Sequence, residues 1–258
     1  MSTTTHYLLD VADGVALVTL NRPQAMNSIN RDLRLQLLEL FPALDLRDDV
    51  NVIVLTGAGD KAFCTGADLK ERSSRTTADM VHDRHYVIPK FTVAVASVSK
   101  PVIAAVKGYC MGGGFELVLQ CDISIVADNA IFSLPEVTHG FFPGGGACQR
   151  LPRIVGYQKA KELILTGRRM DAKEAKDLGI VNQLVPADKV LEEAMAMAKK
   201  IAAYPPMGVI QAKRAMNQSM ETALSQGLRF DDEAWIACMH SDAWKEKLGE
   251  FARKERKS

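Results

Sequence analysis

Two glutamates in the middle of the chain stand beside glycine-rich segments, where a carboxylate could move protons. Glu116 follows Gly112-Gly113-Gly114, and Glu136 comes shortly before Pro143-Gly144-Gly145-Gly146. A carboxylate in the first turn of a helix can simply complement the helix dipole, or it can act as a general acid or base. For Glu116 alone the dipole role is favoured, but a second carboxylate in such a place looks less accidental and makes acid–base chemistry a candidate.

Backbone amides offer a second kind of chemistry. Gly66 is predicted to form a tight turn before a helix that begins at Ala67-Asp68, with Asp68 in its first turn. Because the first amides of a helix have no partner inside it, those of Ala67 and its neighbours could hold an oxyanion. An ordinary capped helix is the alternative. The glycines at 112–114 also precede a predicted helix and permit close approach of a ligand.

Three other motifs are weaker candidates. His139 is a lone histidine, which is more often structural than catalytic, although it could line the pocket. His82 and His85 lack the glutamate of a zinc-protease motif, so no metal site is predicted. The segment Gly57-x-Gly59-x-x-Ala62 superficially matches a dinucleotide-binding fingerprint, but Gly66 would interrupt the helix that must follow it, and we reject that interpretation.

Alternating strands and helices are predicted to position these residues. Apolar, β-rich runs predict strands at 15–20, 50–56, 101–106, 123–127 and 130–134. Apolar residues at helical spacing predict helices at 33–40 and 113–120, and then, in a mainly helical second half, at 158–165, 172–178, 189–203, 207–220 and 230–243. The pattern predicts an α/β core whose site residues lie on strand-to-helix turns.

Composition excludes several classes of protein. With 258 residues, 47% of them hydrophobic, the chain can bury a large core. A net charge of +1 provides no overall field for nucleic acid or an anionic membrane, so neither is expected as a partner. The five cysteines are scattered, which argues against a disulfide framework or a zinc site. No export signal or membrane span is read, and we expect a cytoplasmic protein.

Several segments, in this order and spacing, resemble the enoyl-CoA hydratase (crotonase) family, and the likeness runs from about Val15 to Lys254. The segments that carry the resemblance are Lys61-Ala62-Phe63-Cys64-Thr65-Gly66-Ala67-Asp68-Leu69-Lys70, Lys100-Pro101-Val102-Ile103-Ala104-Ala105-Val106, Gly112-Gly113-Gly114-Phe115-Glu116 with Cys121-Asp122, and Pro135-Glu136 with Gln149-Arg150-Leu151-Pro152.

The resemblance implies an α/β fold built as a crotonase-like spiral of repeated ββα units with a helical C-terminal region. Residues 1–195 would form the core that carries the coenzyme A and catalytic site, and residues 196–258 a helical trimerisation region. Members of the family form trimers, often paired into hexamers, so a homotrimer or a dimer of trimers is implied here.

The resemblance also assigns roles to residues. The amides of Ala67 and Gly113 would form the oxyanion hole for a thioester carbonyl. Glu116 and Glu136 match the two catalytic glutamates of the hydratase branch, with Glu116 preferred as the base and Glu136 as the proton donor. The implied coenzyme A and substrate-binding residues are Ala25, Ala67, Asp68, Leu69, Lys70, Gly113 and Gly144.

The expected function is therefore reversible hydration of an enoyl-CoA, a reaction of fatty-acid β-oxidation, with no metal or separate cofactor because coenzyme A enters as part of the substrate. One alternative is a double-bond isomerase or another thioester-enolate enzyme of the same family, which would need one glutamate. Another is a non-catalytic acyl-CoA or RNA-binding protein on the same scaffold, against which both glutamates and the near-neutral charge argue. Ala147, Cys148 and the pair Phe141-Phe142 depart from the common hydratase pattern near the expected pocket.

Overall fold

Two sheets and a set of surrounding helices make up the structure, a computed structural model in which residues 5–255 are described. The strands are Tyr7–Ala12 (β1), Val15–Leu20 (β2), Val52–Gly57 (β3), Ala62–Cys64 (β4), Val102–Val106 (β5), Tyr109–Met111 (β6), Ile123–Ala127 (β7), Ile131–Ser133 (β8), Met170–Asp171 (β9) and Gln183–Val185 (β10). The α-helices are Arg31–Asp45 (α1), Leu69–Ser73 (α2), Thr77–Tyr86 (α3), Ile88–Phe91 (α4), Gly113–Val118 (α5), Ala147–Val155 (α6), Tyr157–Thr166 (α7), Ala172–Asp177 (α8), Val190–Ala202 (α9), Pro206–Ser219 (α10), Leu224–His240 (α11) and Asp242–Glu255 (α12).

The chain contributes strands to the two sheets in alternation. The larger sheet has the order β1-β2-β3-β5-β7-β10, and the smaller one has the order β4-β6-β8-β9. Strands β3, β5 and β7 of the large sheet are each followed by a strand of the small sheet and then by helix. Successive units are parallel within each sheet, so this path forms a spiral of ββα units and confirms the predicted fold class.

The core lies between the large sheet and the helices that cover it. Every residue of β3 and of β5 is buried, as expected for parallel strands with both faces covered. Helix α1 faces this core with residues that recur at helical spacing, namely Leu33, Leu37, Leu40, Phe41 and Leu44. Helix α9 packs on β3, β5 and β7.

Most predicted elements are present, and the differences have local causes. All five predicted strands occur, within two residues of their predicted ends. Strand β1 was not predicted, although Asp13 and Gly14 form the two-residue turn that pairs it with β2, both at positive φ, and Asp-Gly is a strong hairpin signal. The rejected dinucleotide motif is followed by a strand rather than a helix, since Ala62 begins β4.

The C-terminal region differs more from the prediction. The helix predicted at 230–243 instead runs from Leu224 to His240, and Ser241 in extended conformation separates it from α12. The predicted domain boundary between residues 195 and 196 falls inside α9, which lies on the large sheet. The predicted domains begin at residue 1 and end at residue 258, so their outer ends lie outside the described residues.

Candidate active site

Three neighbouring strands of the small sheet bring the predicted site residues together. Strands β4, β6 and β8 are parallel, with Ala62 beside Tyr109 and Met111 beside Ser133. Because parallel strands end at the same edge of a sheet, the segments that follow them meet there. Those segments carry Gly66-Ala67 after β4, Gly112-Gly113 after β6 and Pro135-Glu136 after β8.

Two unused backbone amides lie close together at this edge. A Cβ placed on Gly113 would lie 3.8 Å from the nitrogen of Ala67, and one placed on Gly66 would lie 2.8 Å from the nitrogen of Gly113. Within residues 5–255, neither the Ala67 nor the Gly113 N–H donates a hydrogen bond. The pair can therefore receive a carbonyl oxygen and stabilise negative charge on it.

The segment at Ala67 is held by pairing with the loop before α1. The amide of Ile29 donates to the carbonyl of Gly66 at 2.7 Å, and the amide of Asp68 donates to the carbonyl of Ile29 at 3.1 Å. This pairing leaves the intervening Ala67 amide pointing the other way. The expectation that Asp68 lies in the first turn was wrong by one position, because Asp68 is the N-cap of α2 and its amide is already paired.

Asp68 also carries an internal charge network. Its carboxylate accepts hydrogen bonds from the amides of Lys70 and Glu71 and forms a 2.8 Å ion pair with Arg22. Burial alone would raise the pKa of Asp68, but the bonds from Arg22 and from the two amides outweigh burial and lower it. Asp68 therefore fixes the turn as an anion, while Leu69 beside it is exposed.

Glu116 lies in the first turn of α5 and is held by hydrogen bonds. It is buried, and its Oε1 accepts the amide of Gly145 at 2.6 Å and that of Ala147 at 3.2 Å. Burial raises the pKa of Glu116, and the two amides, together with the positive charge of Arg84, oppose that rise. The carboxylate is thus oriented by groups that favour its ionised form.

The second carboxylate at this edge, that of Glu136, is less completely hydrogen-bonded than that of Glu116. It lies in the 3₁₀ helix Pro135–His139, and its Oε2 is buried without a hydrogen-bond partner among the described residues. Burial, assisted by the negative charge of Glu116, raises the pKa of Glu136 to about 7. Gly112 makes room for this side chain: its φ of 50° is left-handed, and a Cβ there would lie 2.8 Å from Oε1 of Glu136.

The remaining predicted binding residues surround this edge. Ala25 ends a 3₁₀ helix just before the residues that pair with the Ala67 segment, and Lys70 is exposed on α2 beside it. Gly144 belongs to the loop over Glu116, where its carbonyl accepts a hydrogen bond from Arg84 at 2.8 Å. The structure thus brings all predicted site residues to one region. The oxyanion, catalytic and coenzyme A roles given to them remain predictions.

Several residues that shape the site were not predicted. Arg22 pairs with Asp68, buried Asn27 donates from its amide to the carbonyls of Ala58 and Ala62, and Arg84 reaches Gly144 from α3. Their signals in sequence are weak, because each acts on a partner more than 30 residues away. The glycine-rich segment at 143–146 indicates close approach of another group, but it does not predict that the amide of Gly145 donates a hydrogen bond to Glu116.

The histidines singled out as weaker candidates are exposed. His139 is exposed at the end of its 3₁₀ helix, and exposed His82 lies 3.7 Å from Asp83. Among residues 5–255, no three His, Cys, Asp or Glu side chains converge in a way that could hold a metal ion. Over the same residues, no helix is both long and apolar enough to cross a membrane.

Comparison with known proteins gives the class. The family model described as "Enoyl-CoA hydratase/isomerase" matches residues 10–258. A probable enoyl-CoA hydratase of Rhizobium meliloti (strain 1021) is 41% identical over 96% of this chain and 95% of its own length. A short-chain-enoyl-CoA hydratase of Clostridium acetobutylicum is 36% identical over the same shares.

A solved structure agrees with the sequence relatives. The crystal structure of an enoyl-CoA hydratase from Bacillus anthracis superposes with a TM-score of 0.93 at 38% identity, covering 97% of each chain. The fold is therefore that of crotonase. The protein belongs to the enoyl-CoA hydratase/isomerase family.

Proposed function

We propose that the protein is an enoyl-CoA hydratase, which adds water reversibly across the 2,3 double bond of an enoyl-CoA to give a 3-hydroxyacyl-CoA. The observation that carries this proposal is the pairing of two glutamates with different surroundings at one sheet edge. Glu116 is hydrogen-bonded by two amides, whereas Glu136 has a pKa of about 7 and a buried oxygen with no partner in the described part of the chain. An isomerase would need only one such carboxylate.

The thioester carbonyl binds between the amides of Ala67 and Gly113. Two donors fixed in place stabilise the enolate-like oxyanion, and each contributes roughly 3 kcal/mol to the transition state. Because the carbonyl draws electrons from the conjugated double bond, the β-carbon becomes electrophilic. Both donors belong to the backbone, so the stabilisation needs no side-chain movement.

The two glutamates carry the protons that move when water adds to the double bond. Glu116, oriented by the amides of Gly145 and Ala147, accepts a proton as the water oxygen attacks the β-carbon. Glu136, protonated near neutral pH, gives its proton to the α-carbon. Exchange with solvent then removes the proton from Glu116 and restores the one on Glu136, so one turnover adds the elements of one water molecule to the substrate. In dehydration the two roles reverse. The carboxyl groups titrate as a coupled pair, so the active form carries one proton between them.

Coenzyme A enters as part of an acyl-CoA substrate, and the reaction requires no further cofactor or metal. The thioester lies along Ala25, the segment of Ala67, Asp68, Leu69 and Lys70, and the loop at Gly144. Exposed Leu69 and Lys70 are available to the ligand, whereas the carboxylate of Asp68 is occupied by Arg22. The hydratase reaction belongs to fatty-acid β-oxidation, which is the metabolic role proposed here.

The protein is further proposed to be an oligomer of the cytoplasm. The exposed apolar side chains of α11 and α12, among them Leu228, Trp235 and Trp244, support a homotrimer or a dimer of trimers built through this region. A cytoplasmic location is supported by five unpaired cysteines, which suit a reducing compartment.

Crotonyl-CoA hydration tests the function. Purified protein is incubated with crotonyl-CoA, loss of the enoyl-thioester absorbance is followed, and the product is identified by mass. We expect formation of 3-hydroxybutyryl-CoA, reduced by roughly 10²–10⁴-fold in Glu116→Gln and in Glu136→Gln, since each removes a proton carrier. Glu39→Gln, on an exposed position of α1, serves as the matched control.

Solvent oxygen separates hydration from isomerisation. In H₂¹⁸O, a hydratase incorporates one labelled oxygen into its product, whereas an isomerase shifts the double bond of a 3-enoyl-CoA without label. Isomerisation without incorporation of label, or full activity in either glutamine variant, would contradict the proposed mechanism.

A further inference from the structure

One peptide bond connects an arginine on α3 with the carboxylate of Glu116. Arg84 donates from Nη1 to the carbonyl oxygen of Gly144 at 2.8 Å. The amide that shares this peptide group, that of Gly145, donates to Oε1 of Glu116 at 2.6 Å. The guanidinium, the peptide group and the carboxylate therefore form a hydrogen-bonded chain, in which a positive charge polarises the peptide toward its negative acceptor.

Side chains at the two residues of this peptide would crowd its neighbours, tightly at Gly144 and severely at Gly145. A Cβ on Gly144 would lie 3.0 Å from Nη1 of Arg84, and a Cβ on Gly145 would lie 2.3 Å from Oε2 of Glu116. Neither glycine has a positive φ, so backbone conformation does not require them. Their absent side chains instead allow the arginine and the carboxylate to approach the same peptide.

Helix α3 is anchored next to this arginine. Asp83 is buried and accepts ion pairs from Arg75 at 2.7 Å and from Arg31 at 3.5 Å. These contacts fix the last turn of α3 to α1 and to the turn before α3. Arg84 is exposed apart from its contact with Gly144, and its backbone position is set by its buried neighbour.

We propose that Arg84 is a positioning residue for Glu116, acting through the Gly144–Gly145 peptide to hold and charge-stabilise that carboxylate. The inference rests on the proposed function, in which Glu116 is the base. Arg84 does not touch the reacting atoms. Its effect is to fix the orientation of the Gly145 amide and to add a positive charge near the site.

Other charged groups face the same carboxylate and must be counted. Glu136 approaches from the 3₁₀ helix after β8, and the half-buried thiol of Cys148 approaches from α6. Arg84 on α3 is the cation that lowers the pKa of Glu116. Removing it leaves burial less opposed, so the pKa of Glu116 must rise.

The test compares Arg84→Met and Arg84→Lys with wild type in two measurements. The first is the titration of the Glu116 carboxyl carbon by NMR with ¹³C-labelled glutamate, assigned through Glu116→Gln. The second is the pH profile of crotonyl-CoA hydration. In Arg84→Met we expect the Glu116 titration and the acidic limb of the profile to move to higher pH. We also expect kcat to fall about tenfold and KM to change less than about twofold, because the lost bond runs from a charged guanidinium to the carbonyl of Gly144 and not to substrate.

Arg84→Lys keeps a charge but loses the guanidinium fork, so it should lose less kcat than the methionine variant and shift the titration less. Arg47→Met, which removes an exposed arginine whose guanidinium pairs with Asp49, is the matched control and should leave both measurements unchanged. Equal melting temperatures of the variants check the fold, and Arg84→Lys decides the question if Arg84→Met is unstable.

An unmoved Glu116 titration in Arg84→Met would overturn the proposal, whatever happens to kcat, because a merely structural contribution of α3 could lower kcat without changing that pKa. Failure of the proposed function is distinguishable. If the wild type hydrates no enoyl-CoA, the NMR titration still reports whether Arg84 acts on Glu116.

Discussion

Glu116 and Glu136 are the same side chain in two different settings at one sheet edge. Glu116 receives two backbone amides and faces Arg84, whereas Glu136 keeps one buried oxygen without a partner among residues 5–255. Burial raises both pKa values, and the rise is opposed by the amides of Ala147 and Gly145 at Glu116 and by its own backbone amide at Glu136. In the proposed mechanism, this difference in donor placement makes one of two identical groups the base and the other the acid.

Two glycines of the backbone cause this difference between the surroundings of Glu116 and Glu136. Gly145 gives its amide to Glu116, while Gly112 yields only space to Glu136. A side chain at either glycine would collide with the neighbouring carboxylate, at 2.3 Å and 2.8 Å respectively. The two positions therefore allow each carboxylate to be disturbed separately.

Gly145→Ala should give the largest effect. Its Cβ would displace Glu116 from the amides that orient it, and we expect kcat for crotonyl-CoA hydration to fall by about 100-fold or more, since small displacements of a catalytic group cost that much. Gly112→Ala should also lose activity, with about 1–2 kcal/mol lost from the free energy of unfolding because its φ is 50°.

Gly208→Ala provides the control for both glycine variants. Gly208 lies in α10 with open space around it, so alanine there should leave kcat unchanged and stabilise the helix by up to about 1 kcal/mol. Steady-state kinetics and urea unfolding measure these effects. Normal kcat in Gly145→Ala would show that the amide contacts of Glu116 are dispensable.

The contrast between the carboxylates could be predicted only in part. Glu116 and Gly113 are close in sequence and belong to one helix, so their proximity could be predicted. Strands β3 and β5 could be predicted because both of their faces are buried, which gives continuous apolar runs. In contrast, β4 and β6 have three residues each and carry little periodic signal. Their parallel pairing is what places Ala67 beside Gly113.

The hydrogen-bond partners of the carboxylates were even harder to predict from the sequence. Glu116 meets the amide of Gly145 across 29 residues, and Arg84 meets Gly144 across 60. Such contacts depend on how α3 and the glycine loop pack, which hydrophobic patterning does not encode. A run of glycines signals close approach, but not which group approaches.

The pH profile of hydration sharpens the comparison further. The proposed mechanism requires ionised Glu116 and protonated Glu136, so kcat/KM should fall at low pH as Glu116 takes up a proton and fall again above about pH 7 as Glu136 loses one. Arg72 lowers the pKa of Glu136, so Arg72→Met should move the alkaline limb to higher pH. Loss of kcat/KM on the acidic side alone would contradict the role of Glu136.

Ionised Glu136 should lower the free energy of unfolding, and this is the smallest effect that we expect. Its folded pKa of about 7 lies above its ordinary value of 4.5, so folding favours the protonated form. That contribution is complete below the unfolded pKa and is lost as pH rises through about 7. Glu136→Gln should therefore raise the free energy of unfolding at pH 8 by about 1–3 kcal/mol and have little effect at pH 4.

Urea unfolding at a fixed protein concentration measures this difference, since assembly would otherwise change the apparent stability. Glu116→Gln is the informative partner, because its amide oxygen can still accept the hydrogen bonds from Gly145 and Ala147 but lacks the negative charge that strengthens them. It should gain less stability at pH 8 than Glu136→Gln. Equal gains in the two variants would mean that burial alone governs both carboxylates, and that the amides around Glu116 do not distinguish it from Glu136.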